Sequence, residues 1–249
     1  MLPGRSGFQE ETRDAICGVL QVLQSANGYR FGMEAVFLCG FVRGRARRAV
    51  DLGTGSGVIP LILTRFGKAD SVVGVEIQAP MADRARRSVQ GNRLQRRVEI
   101  LTADVRRLDG LLPRAAFDLI TANPPYARAG AGKTPRERER ALARQEAHGT
   151  LEDFVAAAAW LLKPGGRLCL VFPPQRLPEA LRFAEGHGLR PTRLRLIQGR
   201  TGLKPKTCLL EAVRGGRAAL DVEAPLIVEG ADGKTTPEAD AWLYPEGRG

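Results

Sequence analysis

Two histidines in 249 residues are too few to build a His-based metal cluster. The four cysteines, Cys17, Cys39, Cys169 and Cys208, lie far apart, and none forms a Cys-x-x-Cys pair. That spacing excludes a zinc ribbon and a disulfide frame, so they read as reduced, mostly buried thiols of a cytoplasmic protein without a metal. No apolar run reaches the roughly 20 residues that a membrane-crossing helix requires. Met1-Leu-Pro-Gly-Arg-Ser6 lacks the charged-then-apolar pattern of a secretion signal. No segment repeats. Acidic residues are short as well: 27 stand against 38 Lys and Arg, a formal net charge of +11. Such a balance favours a polyanionic partner, since each phosphate neutralised releases a counterion.

What is present is a Gly-rich turn, Asp51-Leu-Gly-Thr-Gly-Ser-Gly57. The apolar residues before it read as the end of a buried strand, and Val58 to Phe66 as a helix. Glycines at every second position let the backbone turn sharply and approach a ligand. The helix N-terminus adds free N–H donors for an anionic group. In the dinucleotide fingerprint the third glycine comes one residue later, where Val58 stands, so NAD is disfavoured. Three further apolar runs follow. Ser71 to Val75 ends in Glu76, at the distance where such folds place an acid for ribose hydroxyls. Val98 to Leu101 leads to Asp104, and Phe117 to Ala122 ends in Asn123-Pro-Pro-Tyr126.

Strands and helices alternate at the spacing of βαβ crossovers and a parallel sheet. The expected helices cover Gly32–Phe41, Pro80–Gln90 (with Asp83, Arg84, Arg86 and Arg87 on its wet face), Thr150–Leu162 and Leu177–His187. Lys163-Pro-Gly-Gly166 reads as a stop before a fifth strand, Arg167–Phe172. Thr192–Ile197 and Thr207–Val213 read as a final antiparallel pair. Ser25-Ala-Asn-Gly28 between β-prone runs signals a hairpin joining Val19–Gln24 to Tyr29–Phe31. Arg43 to Arg48 is either a solvated connection or part of an RNA-facing patch. The division expected is a leader with hairpin and helix (1–45), a catalytic core (46–213) and an acidic tail (214–249). The tail carries seven acids against four bases, which leaves +14 for the first 213 residues.

The glycine spacing resembles the first motif of class I S-adenosylmethionine (SAM)-dependent methyltransferases, and Leu162-Lys-Pro-Gly-Gly166 is another frequent feature of them. Asn123-Pro-Pro-Tyr126 is similar to the signature of the members that methylate planar nitrogens: adenine, guanine or glutamine. The resemblance implies a Rossmann-like α/β fold, a seven-stranded mostly parallel sheet with a C-terminal antiparallel hairpin, and helices on both faces. One subfamily resembles the chain nearly end to end, the bacterial tRNA (adenine-N6)-methyltransferases of valine tRNA. Gly28-Tyr-Arg-Phe31, Ala143-Arg-Gln-Glu146 and Leu226-Ile-Val-Glu229…Gly233-Lys-Thr-Thr-Pro-Glu238 carry that likeness. The chain departs from it at Glu34, where relatives have Asp, and in a shorter, Gly-rich start to the loop after Tyr126.

By this resemblance SAM lies against Phe31, Gly32, Asp51, Gly53, Thr54, Gly55, Gly57, Glu76, Ile77, Asp104, Val105 and Asn123. Asn123, Pro124, Pro125 and Tyr126 carry catalysis, because two acceptors on a planar amine draw its nitrogen towards a tetrahedral shape and Tyr126 stacks on an extruded base. Arg128, Lys133, Arg136, Arg140 and Arg144, with Tyr126, face the RNA, most simply a tRNA near its anticodon, and the enzyme acts as a monomer. The competing expectations are a release-factor glutamine methyltransferase and a ribosomal RNA guanine-N2 methyltransferase. A SAM-binding RNA chaperone without turnover is the non-enzymatic one. Too few residues precede Asp51 for the helical domain of the first, and no stretch is large enough for the target-recognition domain of a DNA adenine methyltransferase.

Overall fold

The computed structural model describes residues 11–26, 31–125 and 149–247. It opens with an antiparallel hairpin, β1 (Glu11–Ile16) and β2 (Leu20–Ser25), in which Glu11 faces Ser25 and Ile16 faces Leu20. β2, within the expected run Val19–Gln24, pairs back to β1; Phe31 belongs to no strand, and the expected turn and partner residues 27–30 lie outside the described residues. Burial decides this: Ile16, Leu20 and Val22 are at most 4% exposed in one core cluster. The Gln24 side chain, not a strand partner, accepts the Phe31 N–H at 2.8 Å.

Helices and strands then alternate: α1 (Met33–Phe41), β3 (Ala46–Leu52), α2 (Val58–Arg65), β4 (Ala69–Glu76), α3 (Ala79–Gly91), β5 (Val98–Thr102) and β6 (Phe117–Ala122). After residue 149 follow α4 (Leu151–Leu161), β7 (Leu162–Phe172), α5 (Leu177–Gly186), β8 (Leu189–Arg200) and β9 (Thr207–Arg214). The tail adds β10 (Asp221–Val222), β11 (Leu226–Glu229) and α6 (Pro237–Leu243). Seven strands form the order β5-β4-β3-β6-β7-β9-β8, with β9 antiparallel to both neighbours. β10 and β11 extend the sheet by pairing parallel to β8.

Each face of the sheet carries its own core. α1, α2, α3 and the hairpin cover one side, and α4 and α5 the other. Local sequence explains the ends of these elements. Pro60 sits in the first turn of α2, where its missing N–H costs nothing. Thr150 and Asp153 form a reciprocal capping box at the start of α4, worth about 1 kcal/mol. Lys163–Gly166 loops out of β7 as a bulge, because Phe117 pairs with Leu162 but Leu119 already pairs with Arg167. The Pro/Gly stop is therefore inside the strand. Arg84 is a second difference: it is only 8% exposed, not on the wet face of α3, because β1 covers it and sets Glu11 3.9 Å away.

The acidic tail is built into this frame. Arg193 and Arg195, alternating with leucines on β8, point to the α1 side and are each 8% exposed. Arg193 lies over the Phe41 ring, 4.1 Å from its centroid, and pairs with Glu211 and Glu223. Arg195 pairs with Glu238 on α6 at 2.7 Å and lies over Trp242. That indole presses on α1 at Gly40, where a β-carbon would stand 2.4 Å from it, so only glycine fits.

Candidate active site

One row of paired residues crosses the sheet: Leu101, Val75, Leu52, Ala122, Leu170, Leu210 and Leu194. Just past it, at the carboxyl ends of the parallel strands, stand the glycine loop after β3, Glu76 closing β4, Asp104 after β5 and Asn123 after β6. Strand order reverses between β3 and β6, and in open α/β sheets ligands bind at that switch point. Because Leu52 and Ala122 are partners, the loop at Gly53 and Asn123 leave the sheet side by side.

Gly53, Gly55 and Gly57 all have positive φ (70°, 57° and 85°), which β-carbon-bearing residues rarely adopt. A β-carbon at Gly53 would also come within 3.0 Å of the Phe154 ring, which closes the loop from α4. The Thr54 N–H donates to the Val75 carbonyl at 2.9 Å, tying the loop to β4. Glu76, 5% exposed, accepts the Gly55 N–H on Oε2 at 2.9 Å and the Gln78 N–H on Oε1 at 2.8 Å. It therefore fixes the loop from below while each oxygen keeps lone pairs for a ligand.

Asp51 is fully buried, with Oδ1 accepting from the Thr121 hydroxyl at 2.8 Å. Its Oδ2 and the Thr54 hydroxyl are buried near one another, close enough for the hydroxyl to favour the carboxylate but without a well-formed hydrogen bond among the described residues. Burial pushes the Asp51 carboxyl up to about 7, with Glu76 adding to the rise and the Thr54 and Thr121 hydroxyls opposing it. Buried polar atoms left over beside an open glycine loop suit a ligand that brings its own partners. Asp104 differs. Arg106 holds it with Nη2 on Oδ2 at 2.6 Å and its backbone N–H on Oδ1 at 2.9 Å, which lowers its pKa and keeps it ionised.

Of the SAM-facing candidates, the structure brings Asp51, Gly53, Thr54, Gly55, Gly57, Glu76, Ile77, Asp104, Val105 and Asn123 to this one edge. Phe31 and Gly32 enter α1, whose far end, at Val42, is capped by Lys68 from the opposite edge of the sheet, so Gly32 begins on the carboxyl side. The Glu34 carboxylate folds back over Gly32, so that a β-carbon there would stand 1.9 Å from Oε2. Asn123 is half-buried, Pro124 buried and Pro125 exposed. Tyr126, Arg128, Lys133, Arg136, Arg140 and Arg144 lie outside the described residues. Arg43–Arg48 sits at the opposite, amino edge, so its reading as an RNA-facing patch beside this site is not supported.

Two residues that sequence reasoning missed shape the site. Gln24 carries Phe31, and Phe154 backs Gly53. Neither has a local signal, since a glutamine in a strand and a phenylalanine in a helix gain their roles only from tertiary packing.

The groups assembled fit SAM: a glycine loop that lets a ligand approach closely, a buried acid at the end of β4 and an ionised one after β5. Comparison with known proteins agrees. The profile of the methyltransferase small domain family matches residues 34–182. A curated tRNA1(Val) (adenine(37)-N6)-methyltransferase of Porphyromonas gingivalis is 32% identical over 198 residues, 77% of this chain and 76% of its own. A relative of the same name from Aeromonas salmonicida is 31% identical over 68% of this chain and 70% of its own. Among solved structures, a predicted O-methyltransferase of Agrobacterium tumefaciens superposes with a TM-score of 0.70, at 29% identity, over 86% of this chain and 96% of that one. A T. thermophilus 16S rRNA guanine-N2 methyltransferase, solved with AdoMet and guanosine, shares the fold at 22% identity and a TM-score of 0.57, over 85% of this chain and 52% of that one. The fold is that of class I methyltransferases, the cofactor is SAM, and the chain belongs to the methyltransferase small domain family, with the tRNA1(Val) (adenine(37)-N6)-methyltransferases as relatives.

Proposed function

We propose that this enzyme methylates the exocyclic N6 amine of an adenine in tRNA, beside the anticodon. The observation that carries the reading is the position of Asn123-Pro124: one residue past Ala122, level with the glycine loop, at the switch point of the sheet. The names of the relatives support tRNA and adenine.

SAM supplies an electrophilic methyl group, and the residues present have to prepare the nucleophile. The lone pair of an aryl amine is delocalised into its ring. Acceptors on both N–H groups, here the Asn123 side-chain oxygen and the Pro124 carbonyl, favour the pyramidal nitrogen that can attack. Proline at 124 and 125 fixes φ and holds that carbonyl in place. Tyr126 then stacks on the base extruded from the RNA. Bound SAM would supply the methyl carbon with its sulfur as the leaving group, and the amine would pass one proton to solvent once methylated.

Glu76 takes the ribose hydroxyls, Asp104 the adenine amine of the cofactor, and the glycine loop with Thr54, Asp51 and the Phe31–Gly32 segment the amino-acid end. Ile77 and Val105 line the adenine. Arg128, Lys133, Arg136, Arg140 and Arg144 draw in the RNA. The enzyme works as a cytoplasmic monomer, and four buried free thiols support the compartment. Among the described residues no helix is long and apolar enough to cross a membrane, and no group of His, Cys, Asp and Glu could hold a metal ion.

The test is nucleoside mass spectrometry of tRNA from cells lacking this chain. N6-methyladenosine should vanish from one tRNA and return when purified enzyme and SAM are added. Methyl transfer to guanine, or to a release factor, would replace this reading.

A further inference from the structure

The segment Leu226–Glu238 takes no part in the chemistry above. Most of it holds the fold together, since Leu226–Glu229 is β11, the Thr236 hydroxyl caps α6, and Glu238 holds Arg195. The turn Gly230–Lys234 between them does not. Lys234 is exposed and has no ion pair among the described residues.

The surroundings of this turn are informative. β8 runs six residues past Leu194, the member of the cross-sheet row that it contributes, which is about 20 Å of strand. Asn123 lies one residue past the same row, so β8 rises as an arm beside the catalytic edge. β9 supports that arm only as far as Ile197, paired with Thr207. From Ile197 to Arg200 the partner is β11, starting at Leu226. The tail thus takes over the pairing where β9 stops.

The arm ends in a second turn, Thr201–Lys206, with Lys204 and Lys206 both exposed and neither ion-paired among the described residues. Between the two turns lies a cleft of about 230 Å³, lined by Arg200, Thr201, Gly230, Ala231 and Gly233. At about 30 Å³ per water, it has room for a phosphate group and several waters. Of the local acids, Glu229 pairs with Arg200, and Asp232, exposed, is turned inward to accept the backbone N–H of Lys234 at 3.0 Å. The cations that remain are lysines, compact point charges suited to phosphate oxygens.

We propose that these two turns form a ledge that binds the phosphate backbone of the RNA away from the target base, through Lys204, Lys206 and Lys234. The inference rests on the RNA-methylating reading and names a surface for its substrate outside the catalytic loop. A polyanion fits because the charge is spread along an extended arm on the side of the molecule where the methyl group is transferred.

The experiment compares the wild-type chain with a triple variant, Lys204→Ala, Lys206→Ala and Lys234→Ala. A second triple variant, Arg47→Ala, Arg96→Ala and Arg114→Ala, removes equal charge from the amino edge. The probe is a labelled, unmodified valine tRNA transcript, titrated at several salt concentrations. Each lysine–phosphate pairing removed should flatten the log–log salt dependence by about 0.7–0.9, so the ledge variant should lose roughly two units of slope. Its single-turnover rate at saturating RNA should stay at the wild-type value, and the amino-edge variant should keep the wild-type slope. An unchanged slope in the ledge variant, or equal flattening in both variants, overturns the ledge. The two readings fail separately. Methyl transfer with an unmoved slope removes the ledge alone, while a flattened slope without any methyl transfer leaves the ledge and removes the catalytic reading. A wild-type chain with no affinity for the transcript overturns both.

Discussion

The two edges of the central sheet come from one arginine-rich chain and end in opposite states. At the amino edge several charged groups find partners within the chain. Arg45 pairs with Asp70, Lys163 with Asp118, and Arg97 donates to the carbonyls of Ala69 and Asp70. Half-buried Lys68 donates to the Val42 carbonyl at 2.6 Å and closes α1. At the carboxyl edge, Asp51 Oδ2 and the Thr54 hydroxyl are buried without a well-formed hydrogen bond, glycines hold left-handed backbone, and lysines stand unpaired among the described residues. The difference is one of kind: paired surface charges at one edge, and a glycine loop over a buried carboxyl at the other, where the proposed site lies.

The sharpest way to break the comparison is to remove an acceptor from the open edge. Asn123→Ala leaves the prolines and the glycine loop in place. If its oxygen acts mainly as the amine becomes tetrahedral, the loss falls on the chemical step. By analogy with deleting one oxyanion donor, it should cost about 2.7–4 kcal/mol, or about a hundred- to thousand-fold. Single-turnover methyl transfer at saturating tRNA and SAM measures it, and a near-normal rate in a folded variant would dismiss the mechanism.

Asp51 tests whether the open edge costs the apo protein stability. Its carboxyl sits at about 7 in the fold against an ordinary value near 4, so between these pH values the folded chain keeps a proton that the unfolded chain has released. The group's contribution is full below about pH 4 and is lost as the pH rises through 7. Asp51→Asn should remove that drop, which between pH 5 and pH 8 amounts to roughly 2–3 kcal/mol in the wild type. Denaturant melts at pH 5 and pH 8, without SAM, give the answer. Equal pH dependence in both proteins would mean that the carboxylate is solvated or paired in the fold.

The strand-and-helix succession and the site's place at the strand ends were legible in the sequence because they rest on local signals: β-branched runs, Pro/Gly punctuation and an acid after each strand. The pairing of β2 with β1 was not read because it followed the burial of Ile16, Leu20 and Val22, which no local turn signal reports. Arg84 was placed on the surface because helical periodicity does not know that a hairpin will cover that face. The acidic tail read as a separate piece because its acids partner arginines far away in sequence, Glu223 with Arg193 at 30 residues and Glu238 with Arg195 at 43, and pairing at that range leaves no pattern in composition. Glu34 remains the one departure from the family whose geometry is now defined, folded over Gly32 at the start of α1.

The smallest effect belongs to the closed edge, and it is what makes the comparison quantitative. Arg45 and Asp70 form an ion pair whose side chains are 70% and 40% exposed. Water screens such a pair, and ordering two mobile side chains consumes much of what the charges gain, so exposed pairs contribute about 0.2–1 kcal/mol. A double-mutant cycle with Arg45→Ala and Asp70→Ala should give a coupling in that range, falling further at 1 M salt, where the screening length is about 3 Å. For a chain of this size, 1 kcal/mol moves the melting temperature by about 2–4 °C. Methyl transfer should not change at all, because the pair lies at the amino ends of β3 and β4, a full strand length from Asp51 and Glu76. A coupling above 2 kcal/mol, or a lower transfer rate in the double variant, would show that the amino edge is strained or linked to the site, and the two edges would no longer be separable.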